Sequence, residues 1–533
     1  MRGRRRRGLG LGITALTLSL GCGGGPTTDD ASLITTRAER TGWEQTTGYG
    51  EVMFLMERAA GLSTRAHATT FGTTTEGRPL PLLIIGDVAD SSPTSVLAAE
   101  RTRVWLQATI HGGEVSGKEA LIELIRDLLS GTHDDWLSSL VLLIAPVYNA
   151  DGNEQMGDHR PYQLGPLQGM GIRENAQGLD LNRDHIKLES PEARALVRAY
   201  IDYDPHVVVD LHTTNGTQHG YHLTYAPALH PNTHPELDAL VRKGWLPEIT
   251  DAIRADTGWE SYHYGNLRGE GAEASWRTFD HRPRFNNNYV GLRNRLALLS
   301  EAYAYAPFNE RVRVTRAFVD ATLELAASQA AEIAALVERV DGTPIAGQPL
   351  ATRAEPRRGD APVSILMGAT DEVANPYTRS PMRRRLDVAE PTEMEVYIAF
   401  DPTETATAPA TYYVPARLTG VVDLLAAHGI DGTELDAETV IAGEQFMVTA
   451  SETADRPFEG HRIRTVEGEW EPAELRLTAG TLALSTTQPA GRLLFSLLEP
   501  RSDDGLVAWN ILDDELAVND TYPIVRQLAS AAE

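Results

Sequence analysis

Apolar runs bounded by turn residues alternate with stretches of helical periodicity along the first 340 residues. Runs of this kind predict buried strands, and apolar positions three or four apart predict helices. The predicted strands are 78–87, 104–110, 139–147, 206–211 and 295–300, and the predicted helices are 49–62, 114–130, 191–202, 236–255 and 309–339. This alternation predicts an α/β domain with a mostly parallel or mixed sheet and helices on both faces.

The pattern changes after Asp341. A stretch rich in Pro, Gly and small residues predicts a linker over 341–375. Short alternating runs then predict strands at "EMEVYIAF", "ELRLTAGTLALST" and "GRLLFSLLEP", with one helix at "TGVVDLLAAHG". We therefore expect one domain over 41–340 and a smaller β-rich accessory domain over 376–533. This second domain either narrows access to the first or only stabilises it.

The N-terminus has the features of an export signal. A basic stretch precedes a short apolar run in "MRGRRRRGLGLGITALTLSLGCGGG", which predicts a signal peptide over 1–22 and a tether over 23–40. Cys22 is the single cysteine, and its context resembles a bacterial lipoprotein signal, in which this cysteine is lipidated. An ordinary signal peptide with an incidental cysteine is the alternative. We expect an exported protein of the cell envelope that meets the membrane only through a lipid anchor.

Composition narrows the function classes. The chain has 533 residues, and its formal net charge of −26 would repel phosphate backbones. Nucleic acid is therefore excluded as a partner, while the oligomeric state stays open.

Chemistry-bearing residues follow three of the predicted strands. His111 closes one strand, and Glu114 is expected on the first turn of the next helix, three residues later. Alone, this pair is equally explained by helix capping, but His212 and Glu301 also end predicted strands. Two histidines and a glutamate form a zinc set that leaves a position open for water, and a further carboxylate can act as general base.

The ordered motifs "HGGE", "PVYNADGNE", "RENAQGLDLNRD", "VVVDLHT" and "LLSEAYAY" resemble those of the zinc carboxypeptidase family, the carboxypeptidase A-like metallopeptidases. The resemblance covers about residues 40–340. It implies an eight-stranded mixed sheet flanked by helices, a bound Zn²⁺ and peptide substrates.

The resemblance also implies individual roles. His111, Glu114 and His212 would hold Zn²⁺, and Glu301 would be the general base. The remaining assignments are Arg173 as the stabiliser of the oxyanion, Asn182 and Arg183 as the grip on the substrate's terminal carboxylate, and Asp180 as the residue that orients His111. Asp210 either orients His212 or forms a plain salt bridge.

Two points are left open by the motifs. The mobile tyrosine of the digestive relatives has only Phe279 and Tyr289 as candidates near its expected position. The leading function is a zinc-dependent carboxypeptidase acting on extracytoplasmic peptides. The alternatives are an N-acyl-amino-acid hydrolase, of the succinylglutamate desuccinylase or aspartoacylase kind, and an inactive peptide-binding lipoprotein with the same fold.

Overall fold

The structure is a computed structural model that describes residues 32–214 and 216–529. The predicted signal peptide, Cys22 and the first half of the predicted tether, residues 23–31, lie outside these residues. Within them, no helix combines the length and the apolar character needed to cross a membrane.

The central element is a mixed eight-stranded sheet, as predicted. Its strand order is β1-β2-β4-β3-β5-β10-β6-β7. The strands of the first 341 residues are β1 Ala66–Thr73, β2 Pro79–Ile85, β3 Thr102–Ala108, β4 Leu140–Ala145, β5 Val207–Thr213, β6 Leu223–Pro227, β7 Ser261–His263, β8 Asn266–Arg268, β9 Ser275–Arg277 and β10 Leu296–Ala302. The central strands β4, β3, β5 and β10 are parallel, and antiparallel pairs join β1 to β2, β2 to β4 and β10 to β6.

Helices cover both faces of this sheet. In this part of the chain they are Arg37–Arg40, Tyr49–Leu62, Pro93–Ala98, Ser116–Leu129, Ala150–Glu154, Pro191–Tyr203, Pro235–Ala239, Leu246–Thr257, Asn286–Leu292, Phe308–Ser328 and Ala330–Asp341. A π-helical segment, Leu240–Trp245, joins two of them. The helix predicted over 309–339 is therefore two helices, which meet at Gln329.

The central strands are buried on both faces, and their side chains alternate between two cores. Val104 and Leu106 of β3 point into one core, which the helices Ser116–Leu129 and Phe308–Ser328 cover. Trp105, between them, points into the other. That second core also contains Tyr412, Leu493 and other residues from beyond position 400, so the last part of the chain completes it.

The prediction of an unstructured linker over 341–375 is wrong. This segment contains strands β11 Pro349–Arg357, β12 Val363–Met367 and β13 Thr370–Ala374. Many residues of these strands are exposed, so the buried runs that reveal strands elsewhere are missing. β12 and the later strand β15, Glu390–Tyr397, form one sheet with β9 and β8. This sheet therefore contains strands from both sides of residue 341.

The remainder is β-rich, as predicted. Its strands are β14 Pro381–Arg385, β15 Glu390–Tyr397, β16 Ala399–Thr407, β17 Thr411–Val414, β18 Thr433–Glu434, β19 Thr439–Thr453, β20 Arg464–Leu477, β21 Leu482–Ser485 and β22 Val525–Gln527. The helix at Thr419–Ala427 is also as predicted. The strand predicted at "GRLLFSLLEP" is wrong, because Gly491–Leu498 is a helix with every residue buried. A continuous apolar run does not distinguish a buried strand from a buried helix.

Candidate active site

The HGGE motif forms a tight turn between β3 and the next helix. That helix begins at Ser116, so the predicted place of Glu114 on its first turn is wrong. Glu114 instead lies in the turn, where its backbone N–H donates to the carbonyl oxygen of His111 at 2.9 Å. The two glycines are needed because the chain packs closely here. A Cβ on Gly112 would lie 2.4 Å from the backbone of Gly152, and one on Gly113 would lie 2.6 Å from the carbonyl oxygen of Gly171.

Three predicted metal ligands converge at the carboxyl ends of β3 and β5. His111, Glu114 and His212 are buried, and each offers one ligand atom within 4.8 Å of the other two. Nδ1 of His111 lies 3.0 Å from Oε1 of Glu114, and Nδ1 of His212 lies 3.0 Å from Oε2 of the same carboxylate. A set of two imidazoles and one carboxylate is a donor set that suits zinc.

An aspartate faces the second nitrogen of each histidine. Nε2 of His111 lies 3.1 Å from Oδ1 of Asp180, and Nε2 of His212 lies 3.2 Å from Oδ2 of Asp210. A proton held at Nε2 leaves Nδ1 free as a ligand atom, so the hydrogen bond to Asp180 can set the tautomer of His111. Asp210 forms an ion-pair contact with His212 that lacks hydrogen-bond geometry. Burial alone would raise the pKa of Asp180, but the charges of His111 and Arg173 outweigh it and lower that pKa.

Glu301 lies beside the metal set because of strand register. It is paired with His212 across the parallel strands β10 and β5. Its Oε2 atom is buried and has no hydrogen-bond partner among the described residues. Burial raises the pKa of Glu301 to about 8, although the neighbouring His212 opposes this shift. Such a carboxylate is suited to exchange protons near neutral pH.

Arg173 is held against Asp180 by two hydrogen bonds. Its Nε and Nη2 atoms donate to Oδ2 of Asp180 at 2.9 and 2.6 Å. Its Nη1 atom lies 3.9 Å from Oε1 of Glu114, and 35% of the side chain is exposed. The guanidinium therefore has a fixed orientation and an accessible edge beside the ligand set.

Asn182 and Arg183 lie on a short 3₁₀ turn that follows Asp180. The carbonyl Oδ1 of Asn182 accepts from the backbone N–H of Asn286 at 2.9 Å, which fixes the amide. The guanidinium of Arg183 lies 3.9 Å from the centre of the Phe285 ring. Stacking on an aromatic face holds the guanidinium plane and leaves its edge for a ligand.

These residues share one cavity of about 140 Å³. Its walls include all seven predicted catalytic, binding and metal residues, together with Thr213, Thr214, Tyr264, Phe279, Phe285 and Leu299. Asp180 does not line the cavity but contacts His111 and Arg173, which do. The structure therefore brings every predicted site residue within the described chain to one place.

Of the two candidates for the position of the mobile tyrosine, only Phe279 lines the cavity, where it is joined by the unpredicted Tyr264. Tyr289 is fully buried, and its hydroxyl is hydrogen-bonded to Nδ1 of His428 at 2.9 Å, so it does not reach the cavity. Phe279 does line the cavity, packed 5.6 Å from Tyr264 between ring centres. Tyr264 was not predicted, because it lies between two three-residue strands, β7 and β8, in a segment without hydrophobic periodicity.

The chain is similar in sequence to known carboxypeptidases. Residues 52–244 match the family profile described as zinc carboxypeptidase. Carboxypeptidase 2 of Trichophyton tonsurans is 24% identical over 474 residues, covering 85% of this chain and 81% of the relative. Carboxypeptidase D of Mus musculus is 32% identical over 165 residues, covering 26% of this chain and 12% of that protein. A crystal structure of a metallo-carboxypeptidase from Burkholderia cenocepacia aligns with a TM-score of 0.39 at 17% identity, over 52% of this chain and 68% of that chain.

The profile match contains the convergent His111, Glu114 and His212 set, whereas Glu301 lies beyond it and reaches the site through the register of β10. The family profile, the names of the relatives and the donor set agree. Residues 52–244 are similar to the zinc carboxypeptidase family, and this similarity together with the names of the relatives supports a hydrolase of the metallocarboxypeptidase class.

Proposed function

We propose that the protein removes C-terminal residues from peptides outside the cytoplasm, with zinc held by His111, Glu114 and His212. The observation that carries this proposal is the small cavity that combines this ligand set with Glu301, Arg173 and Arg183. Two guanidinium groups in one cavity of about 140 Å³ favour a substrate that brings negative charge, as a free peptide C-terminus does. The basic and apolar N-terminal segment supports export.

When bound, zinc would supply a Lewis acid that polarises the scissile carbonyl and lowers the pKa of water to about 7. The protein side chains perform the remaining steps. Glu301 accepts a proton from the attacking water and passes it to the departing amine. Its unpartnered Oε2 atom and its burial suit this exchange.

Negative charge on the substrate would be bound by two arginines and an amide of the same cavity. Arg173, fixed by Asp180, offers positive charge where the carbonyl oxygen becomes negative. Arg183 and the amide of Asn182 would bind the terminal carboxylate, because a guanidinium presents two parallel donors to it. Binding of that carboxylate would restrict cleavage to the last peptide bond.

The test is release of amino acids from a mixed peptide library by the purified protein, with and without a zinc chelator. We expect release that the chelator abolishes and that a Glu301→Gln variant lacks while retaining zinc. Cleavage of acylated amino acids without release from peptides would instead support the acyl hydrolase. Zinc binding without any hydrolysis would support the peptide-binding lipoprotein.

A further inference from the structure

A loop outside the predicted motifs delivers an arginine to the metal set. Arg160 lies in the loop 155–171, and its Nη1 atom donates to Oε1 of Glu114 at 2.7 Å. Only 15% of the Arg160 side chain is exposed. Part of the space it occupies exists because residue 113 is a glycine, since a Cβ there would lie 2.8 Å from Cδ of Arg160.

The other nitrogens of the same guanidinium are also engaged. Nη2 donates to the backbone carbonyl of Thr213 at 3.0 Å, and Nε donates to the side chain of Gln163 at 2.7 Å. Thr213 directly follows the ligand His212, and its own N–H donates to Oε2 of Glu114 at 3.0 Å. Arg160 therefore connects the turn that bears one ligand to the end of the strand that bears another.

We propose that Arg160 is a positioning residue that fixes the Glu114 carboxylate relative to His212 before zinc binds. Without it, Oε1 of Glu114 loses its shortest contact, and the turn after β3 loses its side-chain link to the end of β5. Ligands that are already held in place lose less conformational entropy when the metal binds. Removing a side chain that holds a ligand typically weakens metal affinity about 10- to 100-fold. This inference rests on the proposed zinc function.

Residues beyond position 370 hold the loop itself. The backbone N–H of Arg383 donates to the carbonyl oxygen of Tyr162 at 2.9 Å, and Nδ2 of Asn375 donates to the carbonyl oxygen of Leu167 at 2.9 Å. Both residues belong to the β13–β14 hairpin segment. The part of the chain after residue 341 therefore holds the loop that carries Arg160, and through it contacts the predicted metal ligands.

The test is zinc affinity, measured by competition with a chromophoric chelator, for the whole protein and for Arg160→Gln. We expect at least a 10-fold weaker affinity in the variant, partial recovery in Arg160→Lys, and an altered visible spectrum after loading with Co²⁺. The Co²⁺ spectrum reports the geometry of the ligands, and circular dichroism of the metal-free variants reports whether they are folded. The two measurements together distinguish a displaced ligand from a general loss of stability. Arg383→Gln is the matched control, because its side chain stacks on Tyr162 without contacting Glu114.

Two results would overturn the proposal in different ways. Equal zinc affinity and an unchanged Co²⁺ spectrum in a folded Arg160→Gln protein would refute the role of Arg160 and leave the proposed function intact. Absence of zinc binding in the unaltered protein would refute the proposed function, and this inference with it. Equal weakening in Arg383→Gln would show that the loop as a whole matters, and would also refute a specific role for Arg160.

Discussion

The regions before and after residue 341 differ in how their strands are buried. Every residue of β3, β4 and β5 is buried, whereas most residues of the long hairpin strands β19 and β20 are partly or fully exposed. In the first pattern the few polar side chains are buried, and those near the carboxyl ends of the strands, such as His212 of β5, form the site. The second spreads polar residues along whole strands, so polarity there indicates solvent contact. Whether a polar residue indicates a functional site or only contact with solvent therefore depends on how deeply its strand is buried.

The two regions nevertheless depend on each other. They share a hydrophobic core, and β15 pairs in parallel with β9, which lies in the chain between Tyr264 and Phe279, two of the aromatic residues of the cavity wall. Trp276 of β9 packs with Met394 and Val396 of β15. The two regions therefore differ in strand burial but share a core and a sheet.

The largest effect is expected from ending the chain at Asp341. This truncation exposes the core around Trp105 and Tyr200 and leaves β9 without its partner β15. We expect loss of cooperative thermal unfolding, measured by circular dichroism, together with aggregation measured by light scattering. Co-expression of residues 342–533 as a second chain is the control and should restore solubility. A soluble, cooperatively unfolding fragment would show that the regions are independent.

This dependence marks the limit of what the sequence predicts. The buried runs that end at His111, His212 and Glu301 predicted the sheet and the positions of these three side chains, because an apolar strand gives a strong signal and its end gives a definite position. Arg160 and Tyr264 were not predicted, since they lie on loops whose placement depends on contacts far away in the chain. The strands in 349–374 were missed because exposed strands have no apolar period. Burial therefore decided which parts of the fold could be predicted.

The second largest effect is expected at the general base, and it shows whether proton transfer depends only on residues before position 341. Glu301→Gln should lower kcat by about 10²- to 10⁴-fold, the usual contribution of a general base. Zinc content, measured by atomic absorption, should stay unchanged. Glu459→Gln is the matched variant from the second region, since its carboxylate lies near the site, 3.4 Å from the backbone nitrogen of Asp180. It should change kcat far less, and comparable losses in both variants would contradict a division of roles.

A smaller effect is expected at the ion pair between the regions. Nε of Arg284 donates to Oδ1 of Asp504 at 2.8 Å, Nη2 lies 2.7 Å from the same oxygen, and both side chains are buried. Asp504→Ala leaves a buried guanidinium unpaired and should lower the free energy of unfolding by about 3–5 kcal/mol, measured with urea. The double variant Arg284→Met/Asp504→Leu should lose less, because neither charge is then left alone. A larger loss in the double variant would contradict this explanation.

The smallest effect is expected at the surface of the second region. Arg357 and Asp401 approach to 3.4 Å across the pair β11 and β16, and each side chain is 53% exposed. Solvent screens such pairs, so Asp401→Ala should change the free energy of unfolding by less than about 0.5 kcal/mol in the same urea experiment. A loss comparable to that of Asp504→Ala would mean that the hairpin edge is as essential as the shared core.

The shared core also sets an order of events during synthesis. The sheet residues Trp105, Val208 and Ala297 are translated long before Tyr412 and Ile524, which complete their core. At about 5–20 residues per second, a gap of roughly 200 residues lasts about 10–40 s on the ribosome. During that time the nascent chain presents a wide apolar face and cannot finish folding. A delay of this length is an opportunity for chaperones to bind the unfinished protein.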